Sequence, residues 1–177
     1  MLMDVTSVKR IHQADWQTNG IPFFRARDIV AASKNKKIDE PIFISFEKYE
    51  EYSTQSGKVT PGDLLVTGVG SIGVPYLITD NSPLYFKDGN IIWFKNSSLE
   101  PYFFYYQFKA TKIQNYIISN SGTGTVGTYT IQSGKNTPIF ITGQEEQAKI
   151  GSILSSVDKL IASNQRNLNK PLWTHPP

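Results

Sequence analysis

The rhythm of apolar positions changes once along this chain, near residue 143. Before that point, short aromatic or β-branched runs alternate with Gly, Pro, Asn and Asp at close spacing. That pattern predicts a mainly antiparallel, sheet-rich domain. Strands are expected at 22–25, 42–46, 63–67, 76–78, 91–94 and 138–141. Asp88-Gly89-Asn90 separates the runs 84–87 and 91–95, and glycine accepts the positive φ of a tight turn, so these runs are expected to pair as a hairpin. Residues 46–52 have helical character. The segment 102–119 sets apolar and aromatic side chains at near-helical spacing behind Pro101, which suits a helix start, and is expected to form one buried helix.

From 143 to 170 there is no proline, and Ile150, Ile153, Leu154, Val157, Leu160, Ile161 and Leu168 recur at three- and four-residue steps. This predicts a long amphipathic helix. Thr142 and Glu145 form a capping-box pattern at its start. About 27 residues at ~1.5 Å each reach about 40 Å, so part of the helix is expected to project. Written as heptads, Ile150 and Val157 fall at a, Ile153 and Leu160 at d, and Asn164 at the next a, where a polar residue fixes register in a helix pair. Ile150, Ile153, Val157, Leu160, Ile161 and Asn164 are therefore the candidate helix interface. The same spacing also fits a helix lying along its own domain. The fold class expected is α+β: a sheet-rich domain over 1–142, the helix over 143–170, and a proline-stopped tail over 171–177.

Composition narrows the chemistry. Hydrophobic residues make up 39% of the 177 positions, enough for an ordinary core in one domain. The absence of cysteine removes disulfides, a thiolate nucleophile and every cysteine-containing zinc site. His12 and His175 have no paired ligand at helical spacing and read as surface residues. No apolar window reaches the ~18 residues of a membrane helix, and the first residues lack a secretory pattern, so a soluble cytoplasmic protein is expected. The formal charge of +3 and pI near 9.0 permit a nucleic-acid partner. Charge is not concentrated in any linear block. Residues 1–60 carry nine Lys/Arg against eight Asp/Glu, 61–140 five against four, and 141–177 four against three. A positive face must therefore be assembled by folding. Lys34, Lys36 and Lys37 form the densest local cluster.

An enzymatic alternative starts from Gly68-Val69-Gly70-Ser71-Ile72-Gly73, which matches G-x-G-x-x-G behind a plausible strand. A dinucleotide pyrophosphate rests on the start of a long helix, however, whereas these glycines run into Val74-Pro75 and a second proline at 83. A glycine turn is the simpler account. Asp63, Asp80 and Asp88 are conceivable metal ligands, but nothing in their spacing fixes the convergence that metal-assisted hydrolysis needs.

Several separated segments together resemble the DNA-specificity subunit of type I restriction-modification systems, and in particular its target recognition domain. Ile21-Pro22-Phe23-Phe24-Arg25-Ala26-Arg27-Asp28-Ile29 is similar to the family's I-P-x-x-R-x-x-D-I segment. Pro61-Gly62-Asp63-Leu64-Leu65-Val66-Thr67, with Gly70-Ser71-Ile72-Gly73, resembles its G-D-[IL]-L-x-[ST] and G-S-x-G runs. Ser121-Gly122-Thr123-Gly124-Thr125 stands at its small polar loop, before the helix-opening Glu146-Gln147-x-x-Ile150 with Leu154 and Asp158. The order and spacing of these pieces carry the resemblance, which spans most of the chain. Ile141-Thr142-Gly143 replaces the family's P-P-L, and one recognition domain with one helix resembles a half-subunit.

The resemblance implies a non-catalytic reader of one half of a split target in double-stranded DNA, with two chains pairing through their helices. It further implies docking to a modification methyltransferase subunit that binds S-adenosylmethionine, with a restriction subunit joining the complex. No cofactor or metal is expected in this chain itself. Among the residues, Arg25 and Arg27 alternate on an apparently extended segment and are candidates for guanine or phosphate contacts. Lys34, Lys36 and Lys37 are candidate phosphate contacts. Ser71, Ser121, Thr123, Thr125 and Tyr129 are candidates on glycine-bearing loops, whose backbone can approach DNA closely.

Overall fold

The computed structural model describes residues 3–96, 98–122 and 127–168. Along the chain run β1 (Asp4–Thr6), β2 (Ile21–Phe24), α1 (Ala26–Ala32), β3 (Ile42–Ile44), α2 (Phe46–Ser56), β4 (Leu64–Thr67), β5 (Pro75–Leu77), β6 (Tyr85–Phe86) and β7 (Ile91–Lys95). Helices α3 (Pro101–Lys109), α4 (Thr111–Ser119), α5 (Ile131–Lys135) and α6 (Gln144–Leu168) follow. One sheet has the order β1-β7-β4-β5 with every pairing antiparallel. The other has the order β3-β2-β6, with β2 antiparallel to β3 and parallel to β6.

The central strands β4 and β7 are apolar at nearly every position because both of their faces are covered. Side chains alternate across a strand, so Leu64, Val66, Ile92 and Phe94 meet Phe104, Phe108, Ile113 and Ile117 from α3 and α4. On the opposite face, Leu65, Ile91 and Trp93 pack on Ile29, Ile78 and Phe86. A third cluster, Ile11, Phe23, Ile44, Tyr49 and Tyr85, joins the second sheet to α2. The sequence-predicted strand at 63–67 begins at a buried aspartate. Asp63 accepts hydrogen bonds from Thr60 N (2.9 Å) and Oγ1 (3.2 Å), Trp93 Nε1 (3.0 Å) and Asn96 N (3.0 Å), so it ties the entrance of β4 to β7.

Four expectations are corrected. The runs around Asp88-Gly89-Asn90 do not pair with each other. Gly89 takes the turn at φ 68°, but β6 joins β2 in the second sheet while β7 enters the first, so the turn is a crossing between sheets. The 102–119 helix is broken at Ala110, whose ψ is 140°. The break allows Phe104, Phe108, Ile113 and Ile117, at steps of four, five and four, all to face the sheet. Residues 138–141 form no strand, because the backbone of Phe140 is taken on both sides by the Gln107 amide, at 2.8 and 3.0 Å. At the start of α6 the first helical bond runs from Gln147 N to Gly143 O (2.9 Å), and the Thr142 hydroxyl bonds the Glu146 carboxylate, so the Thr142–Glu145 box is not formed. Strand β1 and helices α1 and α5 were not expected. The tail 171–177 lies outside the described residues.

Helix α6 runs alongside α3 in the same direction. Gln147, 1% exposed, accepts from Glu100 N (3.0 Å) and donates to Thr142 O (2.7 Å). Gly151 lies against Glu100 and Phe103, where a β-carbon would come within 2.0 Å of the Glu100 carboxylate. Further on, Asp158 accepts from Tyr106 Oη (3.0 Å) and Lys109 Nζ (2.9 Å). Those bonds, the lysine's above all, hold the Asp158 carboxyl below the ordinary carboxylate range. The buried stripe of α6 is thus polar and small. Ile153, Leu154, Val157, Leu160 and Ile161 face outward.

Candidate nucleic-acid interface

Strand direction brings several loops to one end of the two sheets. The ends of β2 and β6 lie together because these strands run parallel, and the chain passes from β6 directly into β7, whose first residue Ile91 pairs with the last of β4, Thr67. Hydrogen bonds lace the loops at this end. Lys87 N donates to Phe24 O (2.8 Å), Ser7 Oγ to Ile91 O (3.2 Å), Gly68 N to Asn90 O (2.8 Å) and Tyr129 N to Gly68 O (2.9 Å). Arg10 pairs with Asp88 at 2.9 Å. A β-carbon on Gly68 would sit 2.6 Å from the Tyr129 carbonyl, which is why only glycine lets these loops meet.

The glycine run is a turn into β5, as its prolines required, so the element that follows it in the chain is a strand and not a helix. Thr67 is fully buried. Its hydroxyl bonds the Ser71 carbonyl and accepts from Val74 N (2.9 Å), closing the turn from within. Ser71 is left exposed at the tip. Across from it, the end of α4 supplies Ser121, half-buried, whose hydroxyl donates to Ile117 O at 2.7 Å and so caps the helix. Gly127 lies between them, with Ile72 and Ser121 both within 3.7 Å of where its β-carbon would stand. The structure therefore brings Ser71 and Ser121 onto adjoining turns. Thr123 and Thr125 lie outside the described residues.

Three candidates are relocated. Tyr129 is fully buried in the core against Leu64, Val66 and Phe104, and its hydroxyl is paired with Thr137; burial pushes the phenol well above its usual pKa. It cannot face a ligand. Arg25 and Arg27 do not alternate on a strand. Arg25 stands at the start of α1 and Arg27 is within it, so the helix turns them apart. The Arg25 guanidinium grips Asp28, itself 3% exposed, with Nε–Oδ2 at 2.7 Å and Nη2–Oδ1 at 3.0 Å, and also donates to Glu40 O at 2.9 Å. Asp28 in turn accepts from Arg25 N (2.8 Å), the returning half of a capping box. Arg27 is exposed and pairs with the Glu40 carboxylate at 3.1 Å.

Arg25→Ala should accordingly lower stability by about 2 kcal/mol, because it leaves a buried carboxylate with one backbone donor and the more distant Arg27 Nε at 3.9 Å. Chemical denaturation of the two proteins measures this; an unchanged midpoint would place Asp28 in contact with water.

Lys34, Lys36 and Lys37 are exposed, and their ammonium groups have no partner among the described residues. Their loop leaves α1 beside β5 and returns to the laced end at Glu40. Residues 16–19, which sequence reasoning missed, line a shallow, open depression of about 670 Å³ with Arg25, Glu40, Pro41 and Ile42. Their signal was a polar Gln-Thr-Asn run before Gly20, in front of a strand. Among the described residues no group of three or more His, Asp or Glu is placed to hold a metal, and Asp63 is occupied by its four donors.

On α6, Ile153 and Leu160 are 63% and 64% exposed, and Val157, Ile161 and Asn164 are also exposed, while Ile150 is half-buried. Five of the six candidate interface residues thus lie off the stripe that packs on α3, and Ile150 stands at its edge. No helix among the described residues is long and apolar enough to cross a membrane.

Comparisons with known proteins agree with this architecture. The family model described as type I restriction modification DNA specificity domain matches residues 2–172. A Haemophilus influenzae protein named as a type I restriction enzyme specificity subunit is 30% identical over 163 residues, which are 90% of this chain and 39% of that protein. The chain thus spans about two fifths of that relative. Three solved structures share the fold. A chain from a type I R-M system superposes with a TM-score of 0.65 at 18% identity, over 94% of this chain and 38% of that one. The S subunit of a type I system from M. genitalium gives 0.58 at 16%, over 89% and 37%. The HsdS subunit of Thermoanaerobacter tengcongensis gives 0.55 at 15%, over 96% and 38%.

Proposed function

Because the chain belongs to the type I restriction-modification DNA specificity family, we propose that it is a non-catalytic reader of double-stranded DNA that recognises one half of a split target. The observation that carries this reading is the laced end of the two sheets, where exposed Ser71, the Ser121 turn and Asn90 lie on loops joined by backbone hydrogen bonds, while Lys34, Lys36 and Lys37, without a partner among the described residues, lie on the loop that returns to this end at Glu40. Lysines give sequence-independent attraction to phosphate, and hydroxyls and amides read base edges.

Helix α6 supports the second half of the proposal. It is fixed to its own domain by Gln147, Gly151 and Asp158, and presents Ile153, Val157 and Leu160 outward. An aliphatic stripe exposed on a helix already anchored by its other face suits pairing with the same helix of a second copy, with Asn164 setting the register. Two such chains would read the halves of a symmetric, interrupted site. In this reading the chain is cytoplasmic and supplies no catalytic group. It docks a methyltransferase subunit that binds S-adenosylmethionine, and the restriction subunit joins through that complex.

Titrating duplex DNA at several salt concentrations tests the DNA half. Binding should weaken linearly in log–log form. Replacing Lys34, Lys36 and Lys37 together by alanine should reduce the slope by about 2.7, roughly 0.9 for each phosphate that is no longer neutralised. Absence of salt-dependent duplex binding by the wild-type chain would overturn the reading. Mapping the adenines methylated by the chain together with a co-expressed methyltransferase subunit would then identify the target.

A further inference from the structure

The depression at residues 16–19 is built differently from a phosphate site. Arg25 is neutralised by Asp28 and Arg27 by Glu40, and the Glu40 carboxylate stands exposed on its wall. A phosphate would meet a carboxylate and no free cation. What the depression does offer is neutral. Gln17, Thr18 and Asn19 are exposed, and the side-chain amides of Gln17 and Asn19 have no hydrogen-bond partner among the described residues.

Their backbone, in contrast, is fixed. Gln17 N donates to Phe43 O (2.8 Å) and Phe43 N returns to Gln17 O (3.1 Å), which adds residue 17 to the outer edge of β3. Trp16 packs on Phe23, with ring centroids 6.1 Å apart. At the other end of the run, Gly20 passes so close to Ile44 O that a β-carbon would lie 2.4 Å from it, at a φ of 120° that glycine tolerates. The opposite wall is equally set. Glu40 holds a left-handed φ of 49°, unusual for a residue with a side chain, and Arg25 bonds its carbonyl while Arg27 bonds its carboxylate. A strained residue held from two sides is a mark of a preorganised site.

We infer that Gln17 and Asn19 determine sequence preference by reading an adenine edge, each planar amide offering the side-by-side donor and acceptor that match adenine N7 and N6 in the major groove. The inference rests on the DNA reading proposed above and assigns its specificity to residues outside the glycine loops. It also assigns a task to the Arg25–Asp28–Glu40 network: these groups shape the wall opposite the reading amides and make no base contact themselves.

Selection of the full-length chain against a pool of random-sequence duplexes tests this, with Gln17→Ala, Asn19→Ala and the double variant run beside the wild type. The wild type should enrich a motif containing adenine. At least one variant should lose discrimination at a single adenine position by about tenfold, keep the rest of the motif, and melt at the wild-type temperature. An unchanged motif in the double variant would overturn the inference while leaving the DNA reading intact. Uniform weakening at all positions would also overturn it, by making these residues non-specific contacts. A wild-type chain that enriches no motif would remove the DNA reading itself, and this assignment with it.

Discussion

Asp63→Ala should lower the unfolding free energy by about 4 kcal/mol and the melting temperature by on the order of 10 °C. The carboxylate is 3% exposed and accepts from four donors, two of them backbone amides and one the indole of the fully buried Trp93. Each donor left without an acceptor in the interior costs about 1–3 kcal/mol, reduced where water can enter beside Thr60. A domain of this size is stable by only about 5–15 kcal/mol, so the loss removes a large share of the margin. Asp63→Asn should fall between, since it keeps one acceptor oxygen but turns a second donor toward groups that are themselves donors. Urea denaturation of the three proteins gives the ordering directly. A loss below about 1 kcal/mol for the alanine variant would show that the donors find other partners.

Val157→Asp should dissociate paired chains while leaving each folded. Val157 is 45% exposed in the single chain, so a carboxylate there is hydrated and costs the isolated domain little. In a helix pair the same position falls at a between Ile153 and Leu160, and an unpaired charge buried there should weaken association by about 100-fold or more. Sedimentation at micromolar concentration should show the wild type as a dimer and the variant as a monomer, with superimposable circular dichroism spectra. An unchanged mass would remove the helix-pairing proposal. A wild-type monomer would do the same, and would assign the exposed stripe to a different subunit.

The residue types of the candidate site were visible in the sequence, but not which of them the fold buries. The segments that resemble the family turn out to include its braces. Asp28 fixes Arg25, Asp63 holds the entrance of β4, Thr67 closes the glycine turn from within, and Gln147 joins α6 to α3. Each is a polar residue buried by the fold, and linear spacing cannot distinguish a buried polar group from an exposed one. Tyr129 failed as a candidate for the same reason: it follows a loop of small residues, but its ring fills the space beside Leu64 and Val66.

The α+β class, the central strands, the turn character of the glycine run and the long terminal helix were legible in the chain, because these depend on local periodicity, proline and glycine. Long-range packing sets the rest: the runs on either side of Gly89 enter different sheets, and α6 buries Gln147, Gly151 and Ser155 while most of its aliphatic side chains stay exposed. Both outcomes depend on which surfaces remain uncovered once the rest of the chain has packed. Periodicity along a segment says which residues share a face, but the neighbour that face meets is set by contacts far apart in sequence.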